Sequence, residues 1–117
     1  MEAVRRGEIW TVAGGPAYAG KPRPVLVIQH DAFDANASIV VCPFTTDPTK
    51  APAFRIPVKP SERNGLRVAS HVMLDKVTAV PRARLRQRVG MLESSDLKRV
   101  SLALIVFLDL IPAIGRG

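Results

Sequence analysis

The apolar residues of this chain fall into short runs bounded by glycine, proline and other turn-forming residues, and this pattern constrains the fold most. Short runs rich in Val, Ile, Leu and Phe between such residues are typical of β-strands. The sequence therefore predicts five or six short strands, at Glu8–Val12, Pro24–Gln29, Ser38–Phe44, Phe54–Val58, Val68–Val77 and Leu85–Leu92.

Prolines and β-branched residues indicate where some of these strands lie in a sheet. The nearly continuous Val, Leu and Ile residues of Pro24–Gln29 predict burial on both faces. Because proline cannot donate to the hydrogen-bond ladder, Pro43 indicates an edge or a strand end, and Pro57 indicates an edge strand.

The spacing of apolar residues changes after Ser94. Ser94, with Asp96 in the first turn, predicts a helix start with a hydroxyl cap. One apolar face follows at helical spacing and a second lies beside it, a stripe wider than one small core covers, which indicates a dimer contact. The two faces are formed by Leu97, Val100, Leu104 and Phe107, and by Leu102, Ile105 and Leu108.

Together these elements predict a mainly β, α+β fold: a small barrel-like or strongly twisted antiparallel sheet with one late helix. At 117 residues, we expect one domain over residues 1–117, with its core in about 5–110 and a C-terminal tail at 111–117.

The net charge and the cysteine content indicate which classes of binding partner and which cellular compartment suit this chain. A net charge of +7 attracts nucleic acid, an anionic membrane or an acidic protein. The single cysteine, Cys42, allows no intramolecular disulfide, and its apolar neighbours predict a buried, inert thiol. Without a visible secretory signal or an apolar stretch long enough to span a bilayer, we expect a soluble cytoplasmic protein.

The polar residues exclude several kinds of chemistry. Only two histidines occur, His30 and His71, and no spacing is typical of a metal site or of a nucleotide-binding glycine loop. We therefore expect no metal and no cofactor. The remaining Arg, Lys, Thr and Ser residues are suited to binding a phosphodiester and stabilising charge on it. RNA would supply its own nucleophile, the 2′-hydroxyl.

A set of motifs, in order along the chain, resembles the MazF/PemK family of toxin endoribonucleases. It runs from about Arg6 to Leu110, and its most specific part is "RGEIW" followed by "RPVLVIQHD". The set comprises Arg6–Trp10, Arg23–Asp31, Pro43–Thr46, Val72–Thr78, Arg84-Leu85, Val89-Gly90 and Phe107–Leu110.

The resemblance implies a small SH3-like barrel of about five to seven short antiparallel strands, with a C-terminal helix and short helical turns, that forms a homodimer. It also implies metal-independent cleavage of single-stranded RNA at a short sequence, leaving 2′,3′-cyclic phosphate and 5′-hydroxyl ends. The implied partner is an antitoxin whose acidic C-terminal segment occupies the RNA groove.

Site residues follow from the same resemblance. It makes Arg23 and Thr45 the catalytic pair, and the loop Gly14–Lys21 the segment that closes over RNA. Lys76 stands where many relatives carry Gln, which leaves the cleaved sequence open. The implied RNA-binding residues are Tyr18, Lys21, Thr46 and Lys76; Arg86, one of four alternating arginines between Arg82 and Arg88, is a further candidate.

Other interpretations stay open at this point. Arg23 is also consistent with an ordinary surface arginine, Thr45 with a turn cap, and the alternating arginines with a solvated face. A gyrase-binding toxin of the CcdB type, without nuclease activity, is the alternative function, although the C-terminus lacks the tryptophan on which such toxins depend. A nucleic-acid-binding barrel without catalysis is the third.

Overall fold

The computed structural model describes residues 3–13, 22–48 and 50–112. These residues form seven strands, one late helix and three 3₁₀ turns, which confirms the predicted mainly β fold with a C-terminal helix. The strands are β1 (Glu8–Val12), β2 (Arg23–Val27), β3 (Ser38–Thr45), β4 (Arg55–Val58), β5 (Ser70–Met73), β6 (Thr78–Pro81) and β7 (Leu85–Met91). The helix is α1 (Ser94–Phe107), and the 3₁₀ turns are Asp31–Phe33, Leu74–Lys76 and Arg82–Arg84.

All strand pairs recorded in the described chain are antiparallel, in the order β4-β5-β3-β2-β1-β7, with β6 also pairing with β3. This path is not closed, because β4 and β7 lie at its two ends and do not pair with each other. The word barrel therefore describes the sheet only loosely. Pro57 lies in β4, an edge strand as predicted.

Pro43 lies in a central strand, so its predicted place at an edge or a strand end is wrong. β3 pairs with β2 on one side, where Val25 is opposite Pro43, and with β5 and β6 on the other. The amide of Ile28 donates to the Val40 carbonyl at 3.1 Å, so even-numbered residues of β3 direct their backbone polar groups toward β2. Pro43 therefore lacks an N–H only on the side of β5 and β6.

The predicted strand Val68–Val77 is interrupted where it runs alongside Pro43. β5 pairs with the end of β3 through Thr45 and His71, and β6 resumes the pairing with Thr78 opposite Val41. Between them the chain forms the 3₁₀ turn Leu74–Lys76. Because the proline of β3 offers no donor there, leaving the ladder costs this segment little.

The two faces of the sheet carry separate apolar clusters. Alternation along the strands places Leu26 and Cys42 on the face that α1 covers, and Val25 and Val41 on the opposite face. The first cluster includes Val100 and Leu104 of the helix. The second, called here the outer cluster, consists of Val4, Trp10, Val12, Val25, Val27, Ile39 and Val41.

Cys42 is fully buried, as the sequence predicted. Burial raises the pKa of its thiol to about 12, because desolvation disfavours the thiolate. The residue therefore packs as an apolar side chain and is protonated at neutral pH.

The helix begins without the predicted hydroxyl cap. Its cap residue is Glu93, with no side-chain bond to the helix amides, and Ser94 is already helical. The Glu93 carboxylate instead accepts a hydrogen bond of 2.7 Å from Ser61 Oγ. This bond ties the helix start to the turn that precedes β5.

The second apolar face of α1 is exposed in the single chain. Leu102 is 56% exposed and Leu108, just after the helix, is 42% exposed, whereas Ile105 is half-buried. Val106, which lies beside this face, is 75% exposed. Of the wide apolar stripe that the sequence predicts on α1, the side with Val100 and Leu104 packs on the core, and the other side is left largely uncovered. No helix in residues 3–13, 22–48 and 50–112 is long and apolar enough to cross a membrane.

Candidate active site

A cavity of about 530 Å³ opens on the sheet face opposite α1, where the ends of β1, β2 and β3 meet the 3₁₀ turn Leu74–Lys76. Its floor is apolar and belongs partly to the outer cluster. The floor includes Val12, Val25, Val41 and Val80, and polar groups are supplied by Arg23, Thr45, Thr46, Ser70, Lys76 and Thr78. Four of the seven predicted site residues therefore meet in one cavity.

Strand register explains why Arg23 and Thr45 come together although 22 positions separate them. Val25 is opposite Pro43 in the β2–β3 pair, and continuing this register by two residues brings Arg23 opposite Thr45. Neighbouring strands lie about 4.8 Å apart. Both residues line the cavity, so the two side chains can approach one phosphate.

Arg23 is held by its local sequence. It is the first residue of β2, is exposed, and lies between Pro22 and Pro24. Proline fixes its own φ and restricts the residue before it, so the backbone on both sides of Arg23 has few conformations to lose. The buried residues Val25–Val27 anchor the strand behind it. The guanidinium thus starts from a rigid base and offers a planar fork of donors.

The hydroxyl of Thr45 has a local role as well. Its Oγ1 accepts a hydrogen bond of 3.1 Å from the Asp47 amide, the turn-stabilising contact that the alternative interpretation required. A hydroxyl can accept and donate at the same time. The bond to Asp47 therefore orients Oγ1 and leaves its proton able to reach a ligand oxygen.

Lys76 lies on the 3₁₀ turn, next to a fixed acid. Asp75 Oδ1 and Oδ2 accept hydrogen bonds from Arg55 Nε and Nη2 at 2.9 and 3.0 Å. This contact lowers the pKa of Asp75 and raises the pKa of Arg55. The carboxylate beside Lys76 is thus paired with a cation of β4, and the turn is fastened to that strand.

The charged side chains that line the cavity in the described chain are Arg23 and Lys76, and both are basic. Such a lining favours an anion, and a phosphodiester fits the combination of a guanidinium, an ammonium and hydroxyl donors. In the same residues, no three His, Cys, Asp or Glu side chains lie close enough together to hold a metal ion.

The alternating arginines do not form the continuous stripe that a strand would produce. Arg82 and Arg84 belong to a 3₁₀ turn, and only Arg86 and Arg88 lie on β7. Arg82 donates to the Asp34 carbonyl and, at 3.2 Å, to its carboxylate. Arg82 and Arg84 therefore do not share one face with Arg86 and Arg88, because β7 begins only at Leu85.

Arg86 is not among the residues that line the cavity. Its guanidinium donates to the Ala83 carbonyl at 3.0 Å. Its neighbour Arg88 forms an ion pair of 2.6 Å with Glu8, which also accepts from Trp10 Nε1 at 3.1 Å. Trp10 is 5% exposed and packs within the outer cluster.

Tyr18 and Lys21 lie outside the described residues, as does the whole of the predicted closing loop Gly14–Lys21. The strand residues on either side of this segment, Val12 and Arg23, both line the cavity. The chain between β1 and β2 therefore leaves and re-enters the sheet at the edge of the site.

A family described as the PemK-like, MazF-like toxin of type II toxin–antitoxin systems matches residues 5–108. The chain belongs to the PemK/MazF toxin family. The match covers the cavity, the helix and every strand of the described chain.

Two curated relatives of this PemK/MazF chain come from mycobacteria. The "Probable endoribonuclease MazF" of Mycolicibacterium smegmatis is 53% identical over 107 residues, which cover 92% of this chain and 98% of that protein. "Endoribonuclease MazF9" of Mycobacterium tuberculosis is 29% identical over 116 residues, with the same coverage of both chains.

Solved structures of other proteins share the fold. A mycobacterial endoribonuclease in complex with its cognate antitoxin superposes with a TM-score of 0.78 at 20% identity, covering 95% of this chain and 100% of that one. The Mycobacterium tuberculosis toxin MazF-mt6 gives a TM-score of 0.73 at 25% identity, covering 90% and 99%.

Sequence reasoning missed several residues around the site. Met73, Ser70 and Thr78 line the cavity, and Arg55 fixes the turn, yet none was predicted there. The alternation in "SHVM" does carry part of this information, since it places His71 and Met73 on one face of β5. Because the strand was predicted to continue to Val77, whereas β5 ends at Met73, the sequence did not show that these residues lie at the site.

Proposed function

We propose that this chain is the toxin of a type II toxin–antitoxin pair and that it cleaves single-stranded RNA without a metal ion. The observation that carries the proposal is the meeting of Arg23 and Thr45 in one basic cavity of a PemK/MazF chain. The names of both curated relatives as endoribonucleases support it.

In the proposed reaction the 2′-oxygen of RNA attacks the neighbouring phosphorus. A bond forms between this oxygen and phosphorus as the bond from phosphorus to the 5′-oxygen breaks. The products are a 2′,3′-cyclic phosphate and a 5′-hydroxyl. Solvent takes up the proton of the 2′-hydroxyl, and the departing 5′-oxygen gains a proton from solvent.

The chain supplies charge stabilisation in this reaction. Negative charge increases on the phosphate oxygens in the transition state, and the fork of Arg23 is placed to donate to them. Thr45 would donate its hydroxyl proton to the same group while it accepts from Asp47. Because a guanidinium retains its proton under ordinary conditions, stabilising this charge is the role that suits Arg23.

Three further residues are proposed to bind the RNA strand beyond the reacting phosphate. Thr46 and Lys76 line the cavity and would contact the phosphate or base on either side. Arg86, outside the cavity, would contact a more distant phosphate. Tyr18 and Lys21 remain proposed contacts of the segment between β1 and β2.

The proposed partners are an antitoxin and a second copy of the chain. An acidic antitoxin segment would occupy the basic cavity by the same charge complementarity that attracts RNA. The solved complex of a mycobacterial endoribonuclease with its cognate antitoxin supports an antitoxin partner. We propose the cytoplasm as the place of action, since the proposed substrate is cellular RNA.

Purified protein incubated with RNA tests the proposal directly. We expect cleavage that continues in excess EDTA and leaves 2′,3′-cyclic phosphate and 5′-hydroxyl ends. A single 2′-deoxynucleotide on the 5′ side of the scissile phosphate should abolish cleavage at that bond, since it removes the nucleophile. An oligonucleotide with the deoxynucleotide one position away is the matched control.

Loss of activity in EDTA, or full cleavage of the deoxy-substituted bond, would contradict this mechanism. If the pure protein leaves RNA intact but inhibits DNA gyrase, the alternative function as a gyrase-binding toxin is correct instead.

A further inference from the structure

A single row of residues crosses the sheet through the site and continues beyond it. Val12 is opposite Arg23, Thr45 is opposite His71, and His71 is in turn opposite Pro57. With the register that brings Arg23 opposite Thr45, the row runs over five neighbouring strands. His71 is the next member after the proposed catalytic pair.

His71 shares the face of the sheet that bears the cavity. It lies two residues before Met73 in β5, and both Met73 and Thr45 line the cavity. Directly opposed residues of antiparallel strands have Cβ atoms about 4.5–5.5 Å apart. His71 is not among the lining residues themselves, and its strand position places it beside Thr45 at the rim of the cavity, on the side away from Arg23.

The imidazole has an unusual environment. Its Nδ1 is buried and has no hydrogen-bond partner among the residues that the structure describes, whereas the residue as a whole is half-buried. A buried polar atom without a partner is uncommon in native proteins. The tautomer that avoids a buried, unpaired N–H carries its proton on Nε2, which makes this atom a donor.

The spacing of the strands relates His71 to the substrate. Strands lie about 4.8 Å apart, so His71 is one strand from Thr45 and two from Arg23. A phosphate held between Arg23 and Thr45 would therefore lie about 7 Å, one and a half strand spacings, from β5, and a nucleotide next to that phosphate can reach the imidazole. Arg23 and Lys76 already provide the cations for that phosphate, and an aromatic ring with one donor is suited to a base.

Resting on the proposed function, we propose that His71 is a specificity-determining residue of this toxin. Its ring contacts the base of a nucleotide adjacent to the scissile phosphate. Nε2–H donates to an acceptor on the base, and the face of the ring offers a surface for stacking. Base preference at that one position depends on this contact.

Two substitutions separate the parts of this contact. His71→Phe keeps a flat ring without nitrogen atoms, and His71→Asn keeps a side-chain N–H donor without the ring. The matched control is His30→Asn, because His30 is exposed and its Nδ1 accepts the Ala32 amide at 2.9 Å, a capping role that Asn also fulfils. Thermal melting of each variant reports folding independently of activity.

The assay measures kcat/KM on oligoribonucleotides in which each of the four bases occupies each position next to the cleaved bond. In at least one His71 variant we expect preference at one of these positions to fall about tenfold or more, with other positions unchanged. His30→Asn should keep the wild-type pattern. Unchanged preferences in both His71 variants, or an equal loss for every substrate, would overturn the inference. An inactive wild-type protein would instead refute the proposed function itself.

Discussion

At the scale of single residues, the rigid placement of Arg23 is the feature that links sequence to proposed catalysis. Two prolines restrict the chain around it, and a buried strand follows it. Holding a long, flexible side chain in a reactive position costs conformational entropy, so a backbone with little freedom to lose reduces that cost. The hydrogen bonds that the arginine donates can then stabilise the transition state with little loss to ordering of the side chain.

Replacing Arg23 with alanine should lower kcat/KM for RNA by about 10²- to 10³-fold, the usual effect of removing one preorganised donor. The melting temperature should change little, because the side chain is exposed. Arg23→Lys should recover only part of the loss, since a lysine lacks the two-pronged geometry. Cleavage of a defined oligoribonucleotide measures each effect.

Lys98→Ala is the control for this experiment, because Lys98 is exposed on α1, on the opposite side of the sheet. It removes the same charge from the whole protein. Equal losses from Arg23→Ala and Lys98→Ala would mean that net charge, and not a specific contact, explains the effect.

Ordered motifs in the sequence predicted that several residues lie near one another, while the roles of these residues in catalysis and binding are proposals. Arg23, Thr45, Thr46 and Lys76 belong to ordered motifs, and the structure places all of them in one cavity. The sequence assigns no role to His71, because its neighbours across the sheet depend on pairing between distant segments. Pairing of this kind leaves no local signal in the sequence.

At the scale of elements, the 3₁₀ turn Leu74–Lys76 decides where Lys76 meets the cavity. The turn lies beside Pro43, which offers no donor to the ladder, so residues about thirty positions apart in the sequence are neighbours here. The sequence contained both Pro43 and the apolar run after Val68, but only the register shows that they are adjacent. This is why the strand boundary was predicted incorrectly.

The ion pair between Arg55 and Asp75 should position this turn more than it stabilises the fold. Asp75→Asn should cost less than about 1 kcal/mol of unfolding free energy, as partly exposed pairs do. Because Lys76 would be held less firmly, KM for RNA should rise several-fold. Chemical unfolding and cleavage kinetics measure the two effects.

The pH dependence of this pair has a definite sign. The pKa of Asp75 is lowered in the folded protein, so the stability it contributes is complete above its ordinary value of about 4. It is lost as the pH falls through the lowered value, and the difference between wild type and Asp75→Asn should vanish there. Asp96→Asn, which removes a pair with Arg99 on α1, is the control and should leave KM unchanged.

At the scale of the whole molecule, the exposed face of α1 is the surface that the proposed homodimer would cover. Val106→Glu places a charge beside that apolar face and should weaken the dimer at least tenfold. Sedimentation equilibrium across a range of concentrations measures the change. Val68→Glu alters an apolar residue of 56% exposure outside the helix and should leave association unchanged. A wild-type protein that is monomeric at high concentration would contradict the proposal.

Part of the cavity floor belongs to the outer cluster, and this has a consequence for genetic selection against the toxin. Val25 and Val41 are buried and face the site from below. A growing cell that must escape a toxic protein can therefore inactivate it at buried positions beneath the polar groups of the site. Replacing either valine with a smaller residue would leave a cavity that destabilises the sheet, and it would also shift the polar side chains of the site. Survivors of such a selection should carry changes in the cluster as well as at Arg23, and folding and toxicity would be lost in the same step.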